Sequence, residues 1–201
     1  MATATTELEA VNTMLRTIGE SPINKLTGAL PVDALMAQET LKEVNKDVQS
    51  EGWHFNTEID LTLTRGDTNE IALASNVLRV DPSLQDHPSV DAVQVGLKLY
   101  DRKKHTYIFD EDLTCTVLYY RPFNDIPEPA RRYVMIKAAR VFADRTIGDD
   151  GLRSYTQQDE IRARAILMET DYSNADHNIL RGDPATANVF DTYSPASALI
   201  R

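Results

Sequence analysis

Apolar residues recur at helical spacing over the first fifty positions, at alternate positions through the middle of the chain, and at helical spacing again beyond it. Thr6 precedes Leu8, Val11, Leu15 and Ile18, steps that predict an amphipathic helix, and Glu9 supplies the partner of a capping box. Gly19 and Pro22 end that helix. A linker with Pro22, Gly28 and Pro31 follows, and Asp33 then reads as the N-cap of a second helix. Its inward face holds Ala34, Ala37, Leu41, Val44 and Val48, and Gly52 closes it. From Trp53 to about Tyr120 the period becomes two. Ile59, Leu61 and Leu63 alternate with Asp60, Thr62 and Thr64, as in a half-buried antiparallel strand. Shorter candidates follow at Ile71 to Ala74, Val77 to Val80, Ala92 to Tyr100, Thr106 to Phe109 and Leu113 to Tyr120.

Helical spacing returns after Pro127 and Pro129, which suit a first turn because the N–H groups there have no helical partner. Ala130, Val134, Met135, Ala138, Ala139, Val141 and Phe142 leave only Lys137, Arg140 and Asp144 as a polar stripe, the signature of a central helix. Gly148 ends it. Asp149 or Asp150 starts a last helix, with Ile161, Ala165, Met168 and Tyr172 as its expected inward stripe. Beyond Asn174 no periodicity survives, yet Val189, Phe190, Tyr193, Leu199 and Ile200 stud the end, as in a segment that docks on a partner. The order predicts an α+β fold. A helical bundle is built from residues 1–52 and 121–175, an antiparallel β domain is inserted over 53–120, and an extended C-terminal tail covers 176–201.

Composition narrows the class. At 201 residues the chain can hide roughly 70% of its unfolded surface, so a core needs neither disulfide nor metal. Its 42% hydrophobic and 26% charged residues exclude collagen and low-complexity disorder. Cys115 is the one cysteine and has no partner for an internal bridge. No apolar run approaches the ~20 residues of a membrane span, and Met1 to Asn12 lacks the order of a secretion signal. The expectation is a soluble protein of a cytoplasm. A formal charge of −10 argues against gripping duplex DNA by its phosphates. The one basic stretch carries Arg121, Arg131, Arg132, Lys137, Arg140 and Arg145. An acidic surface suits a passage along which DNA must slide without sticking.

Chemistry is sparse. His54, His87, His105 and His177 lack ligand spacing, so no metal and no other cofactor is expected. Asp110-Glu111-Asp112 lacks the alternating ligands and turn glycine of a calcium loop. Cys115 lies mid-strand and reads as a small buried hydrophobe. Arg-Gly-Asp occurs at Arg65 and again at Arg181, and turn chemistry accounts for both. The one enzymatic alternative is a polysaccharide (glycoside) hydrolase. Asp101, Asp110 and Asp112 would be its carboxyl candidates, beside Tyr100, Tyr107 and Phe109 as sugar platforms.

Several stretches taken together resemble a known family. They are Glu9-Ala10-Val11-Asn12, Ile18-Gly19-Glu20-Ser21-Pro22-Ile23, Leu99-Tyr100-Asp101-Arg102, Asp125-Ile126-Pro127-Glu128 and Lys137-Ala138-Ala139-Arg140. Most telling is Val48-Gln49-Ser50-Glu51-Gly52-Trp53-His54-Phe55-Asn56. In this order they resemble the tail tubular protein A family, the head-to-tail adaptors of short-tailed podoviruses, from about Leu8 to Leu180. The resemblance implies a structural, non-enzymatic protein of the virion, made in the bacterial host cytoplasm before assembly. It implies a homo-oligomeric ring, usually a dodecamer, seated between the portal ring and the tail nozzle protein, with DNA passing through the bore during ejection. The bundle and the tail residues Val189, Phe190, Tyr193, Leu199 and Ile200 would face the portal, and the β domain would help seat the nozzle. Within that frame, Trp53, Phe55 and Asn56 mark the junction of bundle and sheet. Arg131, Arg132, Lys137 and Arg140 are interface candidates against acidic residues of a neighbour such as Glu39 or Glu43.

Overall fold

A computed structural model describes residues 4–148 and 150–174, without the side chains of 150–156. Four helices and five short strands among these residues give a mixed α+β fold. The chain divides into two compact units, one of Met1–Asn56 with Tyr119–Asp171, the other containing Thr57–Leu118.

The first unit holds the helices. α1 (Glu7–Thr17) starts where the sequence signals it: Thr6 Oγ1 accepts the Glu9 N–H (3.2 Å), and the Glu9 carboxylate accepts the Thr6 N–H (2.8 Å). α2 (Val32–Ser50) starts one residue before the expected cap. Pro31 is the N-cap, with its backbone already extended, and Asp33 lies in the first turn, where a carboxylate favours the positive end of the helix dipole. α3 (Glu128–Thr146) follows Pro127, and α4 (Asp150–Asn174) ends the described chain. Ala10, Val11, Met14 and Leu15 of α1 share one core with Ala34, Ala37, Leu41, Val44 and Val48 of α2. α3 adds Ala130, Tyr133, Val134, Ala138, Ala139 and Phe142, and Trp53, Phe123 and Ile126 close the ends.

α4 turns the other way from its expected orientation. Among its described side chains, Ala163 and Leu167 join the core, whereas Ile161 (64% exposed), Met168 (37%) and Tyr172 (54%) face outward, as does Ala165. This helix carries two apolar stripes, each with an alanine, and tertiary packing took the one of Ala163 and Leu167.

In the second unit, β1 (Thr57–Leu63), β5 (Leu113–Tyr119) and β2 (Val77–Pro82) form a sheet in the order β1-β5-β2. β3 (Ala92–Val95) and β4 (Lys98–Asp101) make a separate antiparallel pair. Alternation held in β5 from Leu113 through Cys115 to Val117, all buried, and broke at its end, where Leu118 is buried too and Tyr119 only half-buried. It failed in β1. Glu58 faces Val117 and Leu61 faces Cys115, so three steps on β1 match two on β5. The extra residue is a bulge with Asp60 at φ 55°, and it swings Ile59 out to 44% exposure. The run Ala92 to Tyr100 is broken into a hairpin at Gly96, whose φ of 62° suits a tight turn. Ile71 to Ala74 and Thr106 to Phe109 contribute isolated bridges in place of strands, although Ile71, Leu73 and Phe109 are buried.

Candidate functional site: the junction clasp and the helical faces

The stretch from Gln49 to Asn56 forms a buried hydrogen-bonded clasp at the end of α2. Gln49 is fully buried and bonds Arg121 in both directions, its Nε2 donating to the carbonyl (2.8 Å) and its Oε1 accepting the N–H (2.8 Å). Its Nε2 also donates to Asn45 Oδ1 (2.9 Å), while Asn45 Nδ2 donates to the Arg121 carbonyl (3.2 Å). Gly52, at φ 82°, turns the chain. Asn56 then accepts the Trp53 N–H (2.9 Å) and donates to the carbonyls of Gln49 (2.9 Å) and Tyr119 (3.0 Å). Trp53 Nε1–H donates to the Val48 carbonyl (2.8 Å), and Arg121 Nε donates to that of Phe55 (3.0 Å). Gln49, Asn45 and Asn56 thus hold the backbone where it leaves the helical unit and where it returns. Among the described residues no buried side-chain polar atom is left without a partner.

Arg164 completes this region from α4. Its guanidinium forms a two-pronged pair with Glu51 (3.1 and 2.7 Å) and donates to Tyr133 Oη (3.0 Å). It also lies over the rings of Trp53 (6.0 Å) and Tyr133 (5.8 Å). Glu51, then Tyr133, hold its pKa above the usual arginine range. Nothing in the sequence singles out Arg164, because its partners lie 113 and 31 positions away.

The basic candidates of α3 are mostly engaged within the chain. Arg131 donates to the carbonyls of Ile126 (2.7 Å), Thr5 (3.0 Å) and Asn124, which ties α1's entry to the start of α3. Lys137 pairs with Asp47 (2.6 Å), and Arg140 pairs with Glu160 and with Asp144 (3.2 Å). Arg145 grips Glu43 (2.6 and 2.9 Å). Arg132 is exposed and makes no bond among the described residues. A hollow of about 270 Å³ between α3 and α4 is lined by Tyr133, Lys137, Arg140, Glu160, Ile161 and Arg164, and its cations are the ones already paired.

The three carboxyl candidates serve turns and ion pairs. Asp101 is buried, and its Oδ1 accepts the N–H groups of Lys103 (2.8 Å) and Lys104 (3.2 Å). Asp110 pairs with Lys104 Nζ, and that bond lowers its pKa. Asp112 accepts the Arg65 N–H (3.0 Å) and Nε–H (3.2 Å), and these hold its pKa down as well. A glycosidase acid needs its carboxyl raised, and the shifts of Asp110 and Asp112 run opposite to that role. Tyr100 and Tyr107 lean on each other with ring centroids 4.9 Å apart. The hydrolase alternative gains no support from this geometry. Burial, with Asp81 nearby, pushes the Cys115 thiol up to about 12, the condition of an inert core cysteine. No cluster of three metal-ligating side chains occurs among the described residues.

Residues 8–177 match the family described as Tail tubular protein. The chain belongs to the tail tubular protein family. One relative, Tail tubular protein A of Klebsiella phage KP34, is 27% identical over 164 residues, which is 81% of this chain and 86% of the relative. Membership makes the protein a structural component of a viral tail, and so of the virion.

The tail tubular match spans the four helices, both sheets and the clasp, and it stops short of Val189, Phe190, Tyr193, Leu199 and Ile200. Those five residues also lie outside the described residues. The junction residues Trp53, Phe55 and Asn56 stand with the helical unit, Trp53 and Asn56 buried and Phe55 half-buried against its core.

Proposed function

We propose that this tail tubular protein is a ring-forming adaptor between the portal and the tail nozzle, with a bore through which DNA leaves the virion. The observation that carries the reading is the family match along residues 8–177, because it takes in nearly every structured element. The bundle of α1 to α4, together with the C-terminal tail over 176–201, is the portal-facing part in this reading, and the inserted β domain over 53–120 is the nozzle-facing part. A charge of −10 supports it, since a bore that must release DNA gains from repelling phosphates. The short strands of the second unit support it as well, since short edges can pair with a neighbour without inviting open-ended aggregation. Among the basic candidates, Arg132 supports it too, since it is exposed and makes no bond among the described residues.

Light scattering on the protein alone and mixed with its cognate portal ring tests this. The expected result is a mass equal to portal plus a whole ring of copies. A protein that remains a single copy in both samples, beside a portal shown competent, would overturn the adaptor reading. Removing residues 188–201 should abolish capture by the portal, and retained capture would take the docking role from the tail.

A further inference from the structure

Two apolar faces of the helical unit are uncovered. On α4, Ile161, Ala165 and Met168 stand four and three residues apart, the spacing of a helix–helix seam, and all three face solvent. On α2, Val32 (70% exposed), Leu35 (45%) and Met36 (45%) cover one side of the first turns. The faces cannot cover each other within one copy. Arg164 ties this part of α4 to Glu51 just past the end of α2, and Met36 precedes Glu51 by fifteen residues, about 22 Å of helix. They also differ in the charge beside them. Arg162 follows Ile161 on α4, and Glu39 lies one turn beyond Met36 on α2. Both are exposed, and neither makes a hydrogen bond or ion pair among the described residues.

We propose that these faces meet between copies of this chain, with Ile161, Ala165 and Met168 of one copy against Val32, Leu35 and Met36 of the next and Arg162 opposite Glu39. A contact between unlike patches leaves one of each free on every added copy, so it propagates until rotation closes it. A two-fold contact of α4 with itself would leave the α2 face open and bring the two Arg162 side chains together. The assignment rests on the ring reading above and names the surface by which the ring is built. A few apolar side chains on each side make a weak single contact, which suits a ring completed only when many close at once.

Cysteine pairing tests it directly. Cys115 is buried and its thiol stays protonated, so it is silent under mild oxidation. Met36→Cys and Ile161→Cys sit on exposed positions, and unchanged melting curves would show that both variants fold. Oxidised together, at concentrations or on a portal ring where the wild type assembles, they should give a cross-linked pair at least tenfold above either variant alone. Arg162→Glu and Glu39→Arg should each reduce assembly, and the two in one chain should restore it. A wild type that assembles while the mixture cross-links no better than the single variants would overturn this surface and leave the ring standing. Strong cross-linking by Ile161→Cys alone would replace it with a two-fold contact. A wild type that never exceeds one copy, alone or with portal, would overturn both.

Discussion

Asn56 shows how much one side chain can hold. Its amide carries two donors to carbonyls at the chain's exit and return, and its oxygen receives a third bond from Trp53 N–H. Asn56→Asp keeps the shape and replaces both donors with an acceptor facing carbonyls. Each orphaned buried group costs about 1–3 kcal/mol, so the variant should lose about 3 kcal/mol or more in urea unfolding at pH 7. The loss should shrink as pH falls, because a protonated carboxyl can donate again; a pH-independent loss would contradict this bonding scheme. The residue string itself was legible as a landmark. Its roles were not, since the groups it binds, Tyr119, Arg121 and Arg164, enter from far along the chain. The carboxyl candidates gain no support for a related reason. An acidic run beside aromatics looks the same in sequence whether its charges are free or held by Lys104 and Arg65.

At the scale of elements, the start of α1 and the presence of α3 and α4 were readable from caps, prolines and periodicity. Which face of α4 turns inward was not. Leu167→Ala should cost about 2–4 kcal/mol, whereas Ile161→Ala should stay within about 0.5 kcal/mol for a single copy. Equal costs would mean that the outward stripe is buried after all. In β1, strict alternation predicted Ile59 inside, and the bulge at Asp60 put it outside. Asp60 adopts a left-handed backbone that a β-branched residue resists, so Asp60→Val should destabilise by about 1–2 kcal/mol and Asp60→Gly should not. Chemical denaturation of the two variants side by side would decide it.

On the scale of the whole molecule, charge governs behaviour. Bonds from Arg145 to Glu43, Lys98 to Glu70, Lys104 to Asp110 and Arg65 to Asp112 hold those carboxyls below their ordinary values of 4.5 for glutamate and 3.8 for aspartate. A depressed carboxyl stabilises the fold fully above its unfolded value and loses that share as pH falls through the folded one. Stability should therefore be level from neutral pH to about 5 and decline below about 4. Asp112→Asn should begin lower at pH 7 and decline less steeply in urea titrations. The same acidic balance predicts no retention of duplex DNA even at ~50 mM salt, where phosphate contacts are strongest. Co-sedimentation with DNA would contradict a bore that lets it slide.

Sequence alone determined the mixed α+β class, the family and the cap that starts α1, because each is written in local spacing or in short runs of neighbours. Tertiary structure decided the inward face of α4, the register of β1, and the partners of Lys137, Arg140 and Arg164. Periodicity records that a face is apolar and charge records that a partner is needed. What covers that face, and which residue supplies that partner, is fixed only when distant segments compete for the same space.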